Sequence, residues 1–182
     1  MRLANDGLRY GLIAIVLHWL TAVLVLGLYG LGLYMVQLDY SHRWYQAAPA
    51  LHYRIGVLLA VLLVLRLGWR LANPRPALIG RPWEQRLALG VHRLFYLLLA
   101  GILLSGYLVT TAEGQGLLVV GNLELPALLY GYENQADVAG EIHAWLADVL
   151  ILLVALHSLA ALKHHFIDQD PTLRHMLGMD GD

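Results

Sequence analysis

The chain has 182 residues, of which 59% are hydrophobic and 14% charged, with a formal net charge of −1 and no cysteine. A soluble domain carries about a quarter charged residues, so the composition points to a membrane protein, and no basic stripe suggests a nucleic-acid partner. Without cysteine there are no disulfides, no iron–sulfur ligation, no thiolate chemistry and no CxxCH attachment motif.

A membrane-crossing helix needs about 20 mostly apolar residues, and four segments qualify. The first, residues 11–36, carries no charge. Arg2 and Arg9 precede it, but it is too long for the apolar stretch of a signal peptide and no small-residue cleavage site follows, so it is expected to be a retained span. The second, 52–72, is apolar apart from Arg54, Arg66 and Arg70. The stretch "NPRPALIGRP" (73–82) is a proline-broken turn, and the third span, 94–112, is uncharged. A loop from 113 to 141 then carries five acids (Glu113, Glu124, Glu133, Asp137, Glu141) and no Lys or Arg. The fourth span, 142–162, contains one acid, Asp148. The expected fold class is all-α: a four-helix transmembrane bundle forming a single integral membrane domain over residues 1–182.

Cationic residues orient such a bundle. Nine fall on the side of the N-terminus (Arg2, Arg9, Arg70, Arg75, Arg81, Arg86, Arg93, Lys163, Arg174), against Arg43 and Arg54 on the other. Both termini are therefore expected on the cytoplasmic side. Spans one and three run outward and spans two and four inward, which gives each histidine a depth. His18 lies in the inner half of span one, and His52 and His143 open spans two and four at the outer face. His157 follows His143 by 14 residues, which is about 21 Å along a helix and about 40° short of four full turns. The two share a face of span four, and depth permits two close pairings, His18 with His157 and His52 with His143.

Two imidazoles from facing helices suit bis-histidine haem b held without covalent attachment; structural zinc would want four ligands. The residue four beyond each histidine is small (Ala22, Gly56, Ala147, Ala161), which leaves room beside a ligand. Two stacked haems b are expected, with span four ligating both. Arg66 lies 14 residues after His52, on the same face and at the depth of His157, where a haem propionate is its natural counter-ion. His42, His92 and His175 read as interfacial or loop residues, with contact to a cofactor the alternative for His92, and Gly27, Gly30 and Gly32 as helix packing. Asp148 lies off the ligand face, as a hydrogen-bonding group or a partner contact. Lys163, His164 and His165 close span four; on chemistry alone they are either a headgroup-binding cluster or the polar wall of a quinone site.

Four segments carry a resemblance: "RYGLIAIVLHWL" (9–20), "LHYRIGVLLAVLLVLRLGWR" (51–70), "HRLFYLLL" (92–99) and "EIHAWLADVLILLVALHSLAALKHHF" (141–166). Together they resemble the bacterial cytochrome b561 family, related to the cytochrome b subunits of nickel–iron hydrogenases and formate dehydrogenases. The resemblance covers nearly the whole chain. It implies a di-haem four-helix bundle in the bacterial cytoplasmic (inner) membrane, with His18 and His157 as ligands of the inner haem and His52 and His143 of the outer. Short single-chain members resemble superoxide oxidase, which passes electrons from periplasmic superoxide to ubiquinone. That implies an oxidoreductase of the superoxide:ubiquinone type, with the quinone beside His164 and His165. The sequence departs from that pattern at the outer face, where Arg43, Arg54 and His42 stand against the five loop acids. The alternative reading is a haem b membrane anchor subunit relaying electrons between quinone and a redox partner protein, a dehydrogenase or hydrogenase. A third is a haem-free structural or transport protein, which a dithionite-reduced visible spectrum distinguishes.

Overall fold

The computed structural model describes residues 2–120 and 123–179; positions 1, 121, 122 and 180–182 of the expected domain lie outside the described residues. The chain forms α1 (Leu12–Met35), α2 (Ala47–Ala72), α3 (Pro82–Thr110), a two-stranded hairpin of β1 (Leu117–Val120) and β2 (Leu123–Leu125), α4 (Gln135–Phe166) and a short α5 (Thr172–Met176). Four of these helices, α1 to α4, are long and apolar enough to cross a membrane. They follow the four expected segments but extend beyond them: α2 starts at Ala47, α3 at Pro82 and α4 at Gln135. The extensions carry charges such as Arg86, Arg93, Asp137 and Glu141, so apolar patterning cannot see them, although the backbone hydrogen-bond ladder continues. The hairpin, with Leu117 opposite Leu125 and Leu118 opposite Glu124, was not expected in an all-α reading.

Local chemistry sets the helix ends. Before α1, Asp6 accepts from the N–H groups of Leu8 and Arg9 at 2.8 and 2.7 Å, and Asn5 accepts from Gly11 N–H at 2.9 Å. Asn5 also donates to the Pro74 carbonyl at 3.1 Å, which ties the N-terminal segment to the α2–α3 turn. α3 opens on Pro82, whose missing N–H is no loss in a first turn, and Glu84 accepts from Arg81 N–H at 2.8 Å. At the other end of α3, Tyr107 donates to the Pro126 carbonyl and accepts from Leu128 N–H, both at 2.7 Å, which fastens the outer loop.

α3 packs most extensively against α4, and α1 against α2. The buried core joins Val25 and Leu28 of α1, Leu59 of α2, Leu98 and Leu99 of α3, and Leu150 of α4. Leu150 lies seven residues from both His143 and His157, and Leu59 seven from both His52 and Arg66. The apolar core is thus a layer between two polar levels. Large apolar side chains outside it, including Leu97 and Leu152, face outward, as a lipid-exposed surface requires.

Candidate functional site

The two polar levels are built around α4. At one level the rings of His18 and His157 stand 6.3 Å apart, centre to centre; at the other, His52 and His143 stand 6.0 Å apart. Two imidazoles each about 2 Å from a shared metal hold their ring centres roughly 6 Å apart. The structure therefore brings together both pairs expected from depth, at a spacing that admits an iron between each.

At the His52–His143 level, named outer after the orientation expected from the cationic residues (and the His18–His157 level inner), His143 is held by α3. Its Nδ1 donates to the Ile102 carbonyl at 2.9 Å and lies 3.2 Å from Ser105 Oγ. A proton on Nδ1 leaves the Nε2 lone pair free, the arrangement a metal-ligating imidazole needs. Gly106 supplies the seat: a Cβ there would lie 3.1 Å from Cε1 of His143. Across the site, Gly32 plays the looser version of this part, 3.5 Å from Cε1 of His52. Nδ1 of His52 is buried without a hydrogen-bond partner among the described residues. At Gly56 an added Cβ would meet nothing within 4 Å, so there is open space beside His52.

At the inner level Arg66 donates to Nδ1 of His18 at 2.9 Å, which puts the proton of a neutral His18 on Nε2, so His18 would hold a metal through Nε2 only once Arg66 has turned from Nδ1 to another partner. That bond gives the guanidinium only a neutral acceptor, so its charge still calls for an anion at this depth. The level is also more crowded than expected. His92, read from the sequence as interfacial, instead lies 5.8 Å from the His157 ring, and Phe95 lies 5.4 Å from it on another side. The helix carries on through the apparent boundary at 94, so His92 sits on the inward face of α3 rather than in a loop. Sequence reasoning allows His92 a cofactor contact but favours an interfacial place, and it misses the roles of Ser105, Gly106 and Gly32.

Asp148 gains an account: Tyr29 donates to it at 2.8 Å, joining α1 to α4 between the two levels. At the inner end of α4 the three cationic or titratable residues part company. Lys163 reaches Asp168 at 2.7 Å and Glu84 of α3 at 3.3 Å. His164 turns to Asp170 at 2.6 Å and Asp168 at 3.2 Å. His165 lies against Phe166 instead, 4.7 Å between rings.

A scan against protein families matches prokaryotic cytochrome b561 over residues 9–179. The chain belongs to the prokaryotic cytochrome b561 family. It is 45% identical over 180 residues to "Cytochrome b561 homolog 2" of Escherichia coli (strain K12), covering 98% of this chain and 96% of that protein. It is 27% identical over 173 residues to "Probable superoxide oxidase CybB" of Yersinia pestis, covering 93% and 96%. With "Cytochrome b561 homolog 1" of Escherichia coli (strain K12) the identity is 26% over 171 residues, covering 93% and 97%. Members of the cytochrome b561 family are membrane electron-transfer proteins that bind haem b. The paired imidazoles at both levels fit that group; at the outer level the bond to α3 leaves Nε2 of His143 bare and glycines seat the rings, and at the inner level the part-buried Arg66 offers a charge for an anion.

Proposed function

We propose that this protein is a di-haem cytochrome b561 that carries electrons between a periplasmic donor and the ubiquinone pool of the bacterial cytoplasmic membrane. The observation that carries the reading is the pair of histidine contacts at 6.3 and 6.0 Å, both made by α4. His18 and His157 would hold the inner haem, and His52 and His143 the outer. Haem b, when bound, supplies reversible one-electron chemistry at its iron. The chain's residues do the rest. Two imidazoles at each level would hold the iron on both sides and leave no open position for oxygen. The Leu59–Leu150 layer keeps water from the path between levels. Arg66 offers charge to an inner propionate, and Lys163, His164 and His165 border the inner face where a lipid-soluble quinone and protons can meet. The chain forms one membrane unit with both termini cytoplasmic, surrounded by lipid.

Superoxide is the donor we propose, supported by the name of the Yersinia pestis relative. The outer charge shapes how it reacts. Five acids lie between residues 113 and 141, two of them in the first turns of α4, against Arg43 and Arg54, so the field gives an anion no attraction and steering is weak or adverse. The reading is tested with purified haem-loaded protein mixed with superoxide and then a short-chain ubiquinone. Superoxide should reduce the haems, with a rate constant that stays level or rises with salt, and ubiquinone should reoxidise them. Haems that superoxide leaves oxidised would reject the donor, and haems that ubiquinone leaves reduced would reject the acceptor.

A further inference from the structure

Just past α4 the chain reverses. Gln169 takes φ 54°, a left-handed conformation that strains a residue with a side chain. The reversal folds Asp170 back beneath the last turn of α4, where its N–H donates to the His164 carbonyl at 3.1 Å. Its Oδ2 accepts from His164 Nδ1 at 2.6 Å, and its Oδ1 accepts from Thr172 N–H at 2.9 Å. Both side chains are largely withdrawn from water, 19% exposed for His164 and 15% for Asp170. Asp170 also lines a recess at this corner with His165, Phe166, Gln169 and Arg174. Burial alone would raise the Asp170 carboxyl, but bonds from Thr172 and His164 hold it below the usual carboxylate range, so it is ionised at neutral pH.

Other charges face His164 as well. Asp168 lies 3.2 Å away but is matched by Lys163 at 2.7 Å, and Lys163 also meets Glu84 of α3. Asp170 forms an ion pair with His164 alone among the described residues. The strained turn thus sets the Asp170 carboxylate on Nδ1 at 2.6 Å, closer than Asp168 at 3.2 Å, and leaves the other ring nitrogen, Nε2, without a hydrogen bond among the described residues.

We propose that Asp170 is a positioning residue of the quinone site: its carboxylate holds the Nδ1–H of His164, so that Nε2 is the atom that passes a proton to a quinone oxygen. The proposal rests on the quinone reading above. Reduction of the ring takes two electrons, which haem b would supply when bound, and two protons. In the step assigned to His164 the Nε2–H bond breaks and an O–H bond forms on the ring. The imidazole becomes neutral and keeps its Nδ1 proton on Asp170. A proton from water on the cytoplasmic side then restores Nε2–H. The logic is that of a carboxylate orienting a general acid–base histidine.

The test uses haem-loaded wild type, Asp170→Asn, Asp170→Glu and His164→Ala, with a short-chain ubiquinone as the probe. The readouts are kcat and KM for quinone and the visible spectrum. Asp170→Asn should lower kcat about tenfold, less than the ~100-fold or more expected for losing an acid–base group outright, with KM and spectrum unchanged. Asp170→Glu should recover part of the lost kcat. A wild-type kcat in Asp170→Asn would overturn the proposal. If that variant loses its haem, Asp170→Ser replaces it under the same criterion. His164→Ala separates the two levels of inference. Slow turnover there with an unaffected Asp170→Asn sinks only the role of Asp170, whereas wild-type turnover in both sinks the quinone site itself.

Discussion

A Cβ at residue 106 would press on the His143 ring at 3.1 and 3.2 Å, closer than ordinary contact, while one at residue 32 would meet His52 at 3.5 Å. The two glycines should therefore respond differently. Gly106→Val should displace His143 from its bond to Ile102 and shift or abolish the outer component of a redox titration, whereas Gly32→Ala should leave it in place. Equal behaviour of the two variants would mean that Gly106 is not a ligand seat. Arg66 makes the complementary case at the inner level. Arg66→Leu should lower the inner midpoint potential, because the reduced haem is the more negative form and loses a nearby positive charge. An unchanged inner potential in a folded protein would place Arg66 outside the haem's reach. The histidine pairs were legible in the sequence because their 14-residue spacing fixes both face and depth. Gly106, Ser105 and His92 were not, since a single contact across two helices leaves no periodic trace. His92 could have been found by following the helical face back from Phe95, three residues on.

α4 works as a two-ended element. Its outer half is fixed by hydrogen bonds to α3, and its inner end by the corner at Gln169. Acid should loosen that corner before the helix pairs. The Asp170 carboxyl is held below its ordinary value of 3.8 by its hydrogen-bond donors. A depressed carboxyl contributes stability that is fully present above its unfolded value and is lost as pH falls through the folded one. Hydrogen exchange at 167–176 should therefore quicken below about pH 4 while exchange in the middle of α4 stays slow. Simultaneous loss of protection along all of α4 would contradict this account. The Tyr29–Asp148 bond, by contrast, bridges two helices at a point apart from both histidine levels. Tyr29→Phe should leave both haem spectra intact and lower thermal stability only slightly; loss of a haem would assign Asp148 a place in a haem pocket. The existence and order of the four long helices were readable from apolar runs. Their ends were not, because α3 and α4 continue past the apolar stretch into charged sequence. The hairpin's alternation, three or four residues per strand, is too brief to stand out.

Across the whole molecule the charge distribution and the site geometry point the same way. The N-terminal segment and the α2–α3 turn are joined by the Asn5–Pro74 bond, as they must be if both lie on one side, and nine of the cationic residues gather on that side. A reporter that fluoresces only in the cytoplasm, fused after residue 182, should light up; a dark fusion from a well-expressed protein would invert the assignment of inner and outer levels. The central claim is that α4 ligates one haem at each level, independently. A pyridine haemochrome assay on fully loaded protein tests it most directly, comparing wild type with His143→Ala. The account predicts two haems b per wild-type chain and one in the folded variant, with the inner spectrum preserved. One haem or none in the wild type, or a variant that keeps both, would contradict it.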